Sequence, residues 1–160
     1  MSDLLTLGRA GPPDVKALVG LIHACFAELA RLDPPSGAAG ETMETIGGLL
    51  ARGAVIKAEQ GGALVGCVAA ERRAGGLYIG RLSVRPDRRR RGIAQALLAA
   101  VEAYAREIGA GHVVLNVRLV LDGNIRLFER AGYRIVGQGS HPGFGSPTYH
   151  IMEKRLDSAT

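Results

Sequence analysis

A mixed α/β layer fold follows from three features of this sequence. Segments of helical periodicity and short apolar runs alternate in the order α-α-β-β-β-α-β-α-β-β, which is neither the strict alternation of a doubly wound sheet nor an all-β pattern. A length of 160 residues fits one domain with a single core, so the whole chain, residues 1–160, reads as one domain. A hydrophobic content of 47% with 22% charged residues belongs to a globular chain and excludes disorder.

The elements follow in order. Residues 12–30 open with Pro12, Pro13 and Asp14 and space Val15, Leu18, Val19, Ile22, Phe26 and Leu29 as one helical face. An irregular stretch, RLDPPSGAAGET, separates this helix from a second that starts at Thr42, buries Ile46, Leu49 and Leu50, and stops at Gly53. AVIKAE and LVGCVAAE flank Gln60-Gly61-Gly62-Ala63 and read as a β-hairpin. LYIGRLSV is the next strand. The third helix aligns Ile93, Leu97, Val101, Tyr104 and Ile108 and ends at Gly109-Ala110-Gly111, where glycine supplies the left-handed cap. HVVLNVRL is a strand, NIRLFERA a short helix closed by Gly132, and YRIVGQ and PTYHIMEKRL are two further strands.

Charge narrows the function. Residues 71–91 hold eight arginines against Glu71 and Asp87, whereas the rest of the chain has 12 basic and 13 acidic residues, so the net +5 is concentrated in one stretch. Such a field draws anions in. A nucleic-acid module would interleave aromatic side chains with the arginines for stacking, and only Tyr78 lies near, so nucleic acid is not the expected partner. No window approaches about 18 apolar residues, and no leader is evident, which suggests a cytoplasmic chain that does not engage a membrane. Cys25 and Cys67 sit in apolar runs and read as buried thiols; no His/Cys spacing suggests a metal.

The stretch VRPDRRRRGIAQALL, from Val84 to Leu98, joins a strand to a helix through a basic, small-residue loop. The first turn of a helix presents amides with no intrahelical partner, and the macrodipole adds partial positive charge. Gly92 and Ala94 leave the amides of residues 90–94 open to a diphosphate. A solvated run of arginines would not need those two small residues.

Here the sequence resembles the GNAT superfamily of N-acetyltransferases. Its Arg/Gln-x-x-Gly-x-Gly/Ala motif is matched by Arg89, Arg90, Arg91, Gly92, Ile93 and Ala94, with LSVRPD before it, QALL after it, and NIRLFERAGYR and MEKRL further on. The resemblance implies a central twisted mixed sheet of six or seven strands, flanked by four helices and splayed between its fourth strand (residues 77–84) and its fifth (residues 112–119). It implies acetyl-CoA as cosubstrate and no metal. The pantetheine arm would pair with Leu82, Ser83 and Val84, the pyrophosphate would rest on Arg89 to Ala94, and Asn124 and Phe128 would flank the cofactor. The reaction would be direct attack by a primary amine of a small-molecule, amino-acid-like or peptide acceptor, with the Val84 N–H polarising the carbonyl.

Two departures concern proton transfer. Many members carry a tyrosine where this chain has Phe128, and a glutamate near the position of Tyr78. Tyr149, Tyr78 and Glu71 are the remaining candidates for acid or base, and His150 or water could replace them; Glu71 could instead pair with Arg72, Arg73 or Arg81. His112 and His141 read as ordinary strand or loop residues. Asn124 could contact pantetheine or cap its helix with Asp122, and Asn116 could face the splay or make a structural hydrogen bond. Asp33 and Glu41 could attract an ammonium group, and the closing strand would permit a homodimer. The alternative to an enzyme is a protein of this fold that binds acetyl-CoA as a sensor.

Overall fold

The structure is a computed structural model that describes residues 4–29 and 32–156. The predicted end of the first helix at residue 30 lies outside the described residues. Seven strands form one mixed sheet in the order β1-β2-β3-β4-β5-β7-β6, with four helices. The residues divide into two compact units: one takes the chain up to Glu71 and then Arg81–Val101, the other Arg72–Gly80 and everything from Glu102 onward.

In the first unit, β1 (Leu5–Arg9) pairs antiparallel with β2 (Ala54–Gln60), which pairs antiparallel with β3 (Ala63–Arg73), whose last two residues belong to the second unit. Gly61 and Gly62 stand at φ +60° and +79°, the two positive values that a tight two-residue hairpin requires. Helices α1 (Val15–Phe26) and α2 (Met43–Arg52) bury Leu18, Ile22 and Ile46 with Val55, Cys67 and Ala38 in one aliphatic cluster. A Thr42/Thr45 capping box opens α2, each hydroxyl accepting the other residue's amide. The sequence reading missed β1, for a physical reason: four of its five residues are exposed, so it holds the sheet through its backbone and shows no buried face.

The end of β4 (Gly76–Val84) and the start of α3 (Ile93–Glu107) also belong to the first unit, and their other ends to the second. In the second unit β5 (His112–Arg118) pairs antiparallel with β7 (Tyr149–Arg155), and β7 with β6 (Arg134–Gly139). The parallel ladder between β4 and β5 covers only Leu77↔Val113 and Tyr78↔Val114. That short ladder is the expected splay. Helix α4 runs Asp122–Arg130, beginning two residues earlier than NIRLFERA suggests, which puts Asn124 inside the first turn instead of at the cap. Among the described residues, no helix is long and apolar enough to cross a membrane.

Candidate active site

The strand end Arg81–Val84 and the loop that follows it lie wholly within the first unit. Arg81 stands at φ +56°, a left-handed conformation inside a strand that a non-glycine residue adopts only when its surroundings hold it. Ser83, almost fully buried, donates its hydroxyl to the Arg81 carbonyl at 2.9 Å. The Val84 carbonyl accepts from the Cys25 thiol of α1 at 3.2 Å and from Arg89 Nε at 3.4 Å. The Arg85 amide donates to Val65 of β3 at 2.8 Å. Strand alternation then turns the Val84 amide to the opposite edge, where the described β4–β5 ladder has already ended at Tyr78.

Beyond Val84 the chain makes a short 3-10 turn, Pro86–Arg88, in which Asp87 pairs with Arg85 at 2.8 Å. The same carboxylate also lies 3.9 Å from Arg88 Nη1, so one acid is shared by two of the loop's arginines and the stretch keeps a positive excess. Arg88 Nε is buried with no hydrogen-bond partner among the described residues. A buried donor left unsatisfied costs about 1–3 kcal/mol, so an anion that accepted from it would recover that cost. Arg90 and Gly92 stand at φ +64° and +80° around Arg91. Alternation of this kind turns successive amides into a concavity suited to anions. Helix α3 follows at once: its first backbone bond runs from Ala96 to Gly92 at 3.0 Å, which leaves the amides of residues 93–95 outside the intrahelical ladder. A diphosphate fits this donor set.

The remaining sequence-predicted residues are dispersed. Glu71 is bound by Arg52 of α2 at 2.9 Å, a partner that sequence reading did not name. Arg81 pairs with Glu41 at 3.5 Å, so Glu41 is already engaged by a cation. In the second unit Tyr78 carries the Arg73 guanidinium over its ring at 4.1 Å. Tyr149 lies across Gly139, whose absent side chain makes room for the ring, and meets His141 edge-on with centroids 5.3 Å apart. His141 approaches the Thr148 hydroxyl through Nδ1 at 2.5 Å; desolvation, then the Arg118 charge, hold its imidazole below the ordinary histidine range. His150 instead faces Gln138 at 3.3 Å. Asn116 is exposed on β5.

Phe128 is buried on α4 and meets Tyr133 edge-to-face at 6.1 Å. Tyr133 does not replace the missing hydroxyl. Its phenol donates to the Glu102 carboxylate at 3.1 Å, and burial with that neighbouring charge drives its pKa far above the ordinary tyrosine value. Burial likewise pushes the Cys67 thiol up to about 12, keeping it protonated and unreactive. Among the described residues, no three His, Cys, Asp or Glu side chains converge as a metal site.

Sequence reasoning missed three parts of this arrangement: the Cys25 bond to Val84, the buried Arg88 Nε, and the Arg81–Glu41 pair. Each depends on residues distant in sequence or on a local backbone turn, and only the RPD before the arginines hinted that one acid would neutralise part of the block.

The model of the acetyltransferase (GNAT) family matches residues 25–133, more than half of the chain. The chain belongs to the GNAT family. Solved structures share its fold. The PaiA N-acetyltransferase of Thermoplasma acidophilum, in complex with coenzyme A, superimposes with a TM-score of 0.83 at 15% identity, covering 98% of this chain and 100% of that one. The ribosomal-protein-S18-alanine N-acetyltransferase of Escherichia coli gives 0.78 at 18% identity, covering 98% of this chain and 97% of that one. Ard1 of Thermoplasma volcanium gives 0.78 at 20%, covering 95% and 97%. At these identities the likeness is one of fold. No curated protein matches the chain. For a GNAT protein, the family motif Arg89 to Ala94 falls on the loop with the alternating backbone and on the start of α3.

Proposed function

We propose that this GNAT protein is an acetyl-CoA-dependent N-acetyltransferase that moves an acetyl group to a primary amine within one ternary complex. The observation that carries the reading is the cradle: left-handed Arg90 and Gly92 lead directly into α3, beside a buried Arg88 Nε that has no hydrogen-bond partner among the described residues. In this reading the amides of Arg89 to Ala94 hold the pyrophosphate, and Leu82, Ser83 and Val84 hold the amide-rich pantetheine as a strand edge would hold a peptide. Arg88 to Arg91 add steering charge, each contributing little where it is exposed.

Acetyl-CoA supplies an activated acyl group and a thiolate leaving group. The amine nitrogen bonds to the thioester carbonyl carbon as the carbon–sulfur bond breaks, the amine loses a proton, and the sulfur departs as thiolate that takes one up. In this reading the Val84 N–H, on the part of β4 beyond the described β4–β5 ladder, donates to the carbonyl oxygen. The candidate donors for the thiolate are Tyr149, His150 or water, and Tyr78 stands near the position of the family's base; Glu71 is the carboxylate candidate for the amine, although Arg52 engages it. A small-molecule or amino-acid-like amine is the acceptor class. A peptide N-terminus is the next, in keeping with the alanine N-acetyltransferase of Escherichia coli that shares the fold.

Phe128 favours a second reading, in which the protein binds acetyl-CoA as a sensor: the ring has no proton to give, and its neighbour Tyr133 is locked to Glu102. A free-thiol assay of acetyl-CoA against amines, amino acids and short peptides separates the two. Release of CoA that depends on an amine, with the acetylated amine seen by mass spectrometry, supports the enzyme. Binding without any amine-dependent release supports the sensor.

A further inference from the structure

Arg81 raises a question that the cofactor alone does not answer: what keeps a non-glycine residue at φ +56° in the strand that would carry the pantetheine arm? Its guanidinium extends to the segment between α1 and α2. There Nε meets Glu41 Oε2 at 3.5 Å, and Nη2 lies so close to Gly37 that a side-chain carbon at residue 37 would stand 3.3 Å from it. Glu41 is itself fixed. Its amide donates to the Ala38 carbonyl at 3.2 Å, its own carbonyl accepts from His23 Nε2 of α1 at 2.7 Å, and Thr42 beside it caps α2. Only 12% of its side chain is exposed, so its charge is poorly hydrated and needs the guanidinium more than a surface acid would.

Three residues beyond Arg81, the same helix makes the second tie, from Cys25 to the Val84 carbonyl. The Leu82–Val84 stretch is thus held at one end by α1 directly and at the other by Glu41, which α1 also holds.

We infer that Glu41 is a positioning residue for the cofactor strand: acting through Arg81, it latches the α1–α2 segment to the turn that aims Leu82, Ser83 and Val84. What that stretch binds rests on the acetyl-CoA reading above; the latch itself rests on contacts within the first unit. Release of Glu41 lets Arg81 relax toward ordinary strand geometry, which misaims the amides meant for the pantetheine arm and leaves the phosphate cradle in place. A cationic acceptor that drew the Glu41 carboxylate away from Arg81 would act on the same latch, so acceptor and cofactor affinities would be linked reciprocally.

The test uses calorimetry with two titrants, acetyl-CoA and 3′-phospho-ADP, the nucleotide part of CoA without its arm, on wild type, Glu41→Gln, Arg81→Ala and the double variant. The latch predicts acetyl-CoA binding about fivefold or more weaker in each single variant, no further loss in the double variant, and partial recovery in Glu41→Asp. Binding of 3′-phospho-ADP stays within about twofold of wild type throughout. Thermal melts run alongside, and if Glu41→Gln fails to fold, Glu41→Asp and Arg81→Lys carry the same comparison. Equal weakening of both titrants, or unchanged acetyl-CoA affinity in every variant, would overturn the latch while the acetyl-CoA reading stood. A wild type that binds neither titrant would overturn that reading, and the latch with it.

Discussion

At φ +80° Gly92 occupies backbone space that favours glycine, and a Cβ built there would meet nothing within 4 Å. The residue therefore serves the left-handed turn, and the open space beside it leaves the loop amides accessible. Gly92→Ala should lower stability by about 1–2 kcal/mol through conformational strain alone, read from urea unfolding. Gly92→Glu should in addition abolish acetyl-CoA binding, because it sets a carboxylate where the phosphates would lie. Phe128→Tyr should leave acetyl-CoA affinity unchanged, and a rise in amine-dependent thiol release would show that a proton donor is wanted at that position. Much at this scale was legible in the sequence, since the motif Arg89 to Ala94 marks its own loop. The left-handed turns at Arg81 and Arg90 were not, because no side-chain pattern announces a non-glycine residue held there by its neighbours.

Two elements are tied down by charges in ways that can be measured. Asp14, at the start of α1, accepts from the Gly11 amide at 2.8 Å and from Lys57 of β2 at 3.0 Å, and these bonds, the amide first, hold its carboxyl below the usual range. A lowered folded-state pKa adds stability above the unfolded value, and that stability is lost as the pH falls through the folded value. Asp14→Asn should therefore cost about 1 kcal/mol at neutral pH, and the difference from wild type should shrink in thermal melts as the pH falls below the ordinary carboxylate range. In the second unit Lys154 of β7 bonds both the Glu102 carboxylate of α3, at 2.9 Å, and the Ala131 carbonyl that ends α4, at 2.8 Å. Lys154→Met strands a buried carboxylate and should cost about 3 kcal/mol or more, whereas adding Glu102→Gln should return part of the loss. The helical spacing of Leu18, Ile22 and Ile46 gave α1 and α2 away in the sequence, and the double glycine gave the hairpin. Strand β1 escaped because it is a five-residue edge strand with four exposed residues, and α4 begins at Asp122, two residues before the periodic run starts at Asn124.

At the scale of the whole chain, the order of helices and strands after β1 could be written from the sequence, and six of the seven strands of the mixed sheet follow it. The splay between β4 and β5 was expected from the family resemblance alone; that the ladder ends after Tyr78 was not legible, because register depends on which strands find each other across long stretches of chain. Charge distribution was legible in full, and its meaning depends on the loop that carries it: four consecutive arginines are a diffuse patch unless the backbone beneath them is arranged to receive phosphate. That distinction is the centre of the account. It is tested most directly by calorimetric titration with acetyl-CoA at low and at moderate salt, with inorganic polyphosphate as the control anion. The account predicts saturable one-to-one binding of acetyl-CoA that persists at moderate salt while polyphosphate binding fades, as expected for fixed main-chain donors. Binding of both anions that collapses together as salt rises would contradict it, and would leave the arginines as a patch and the GNAT likeness as one of fold.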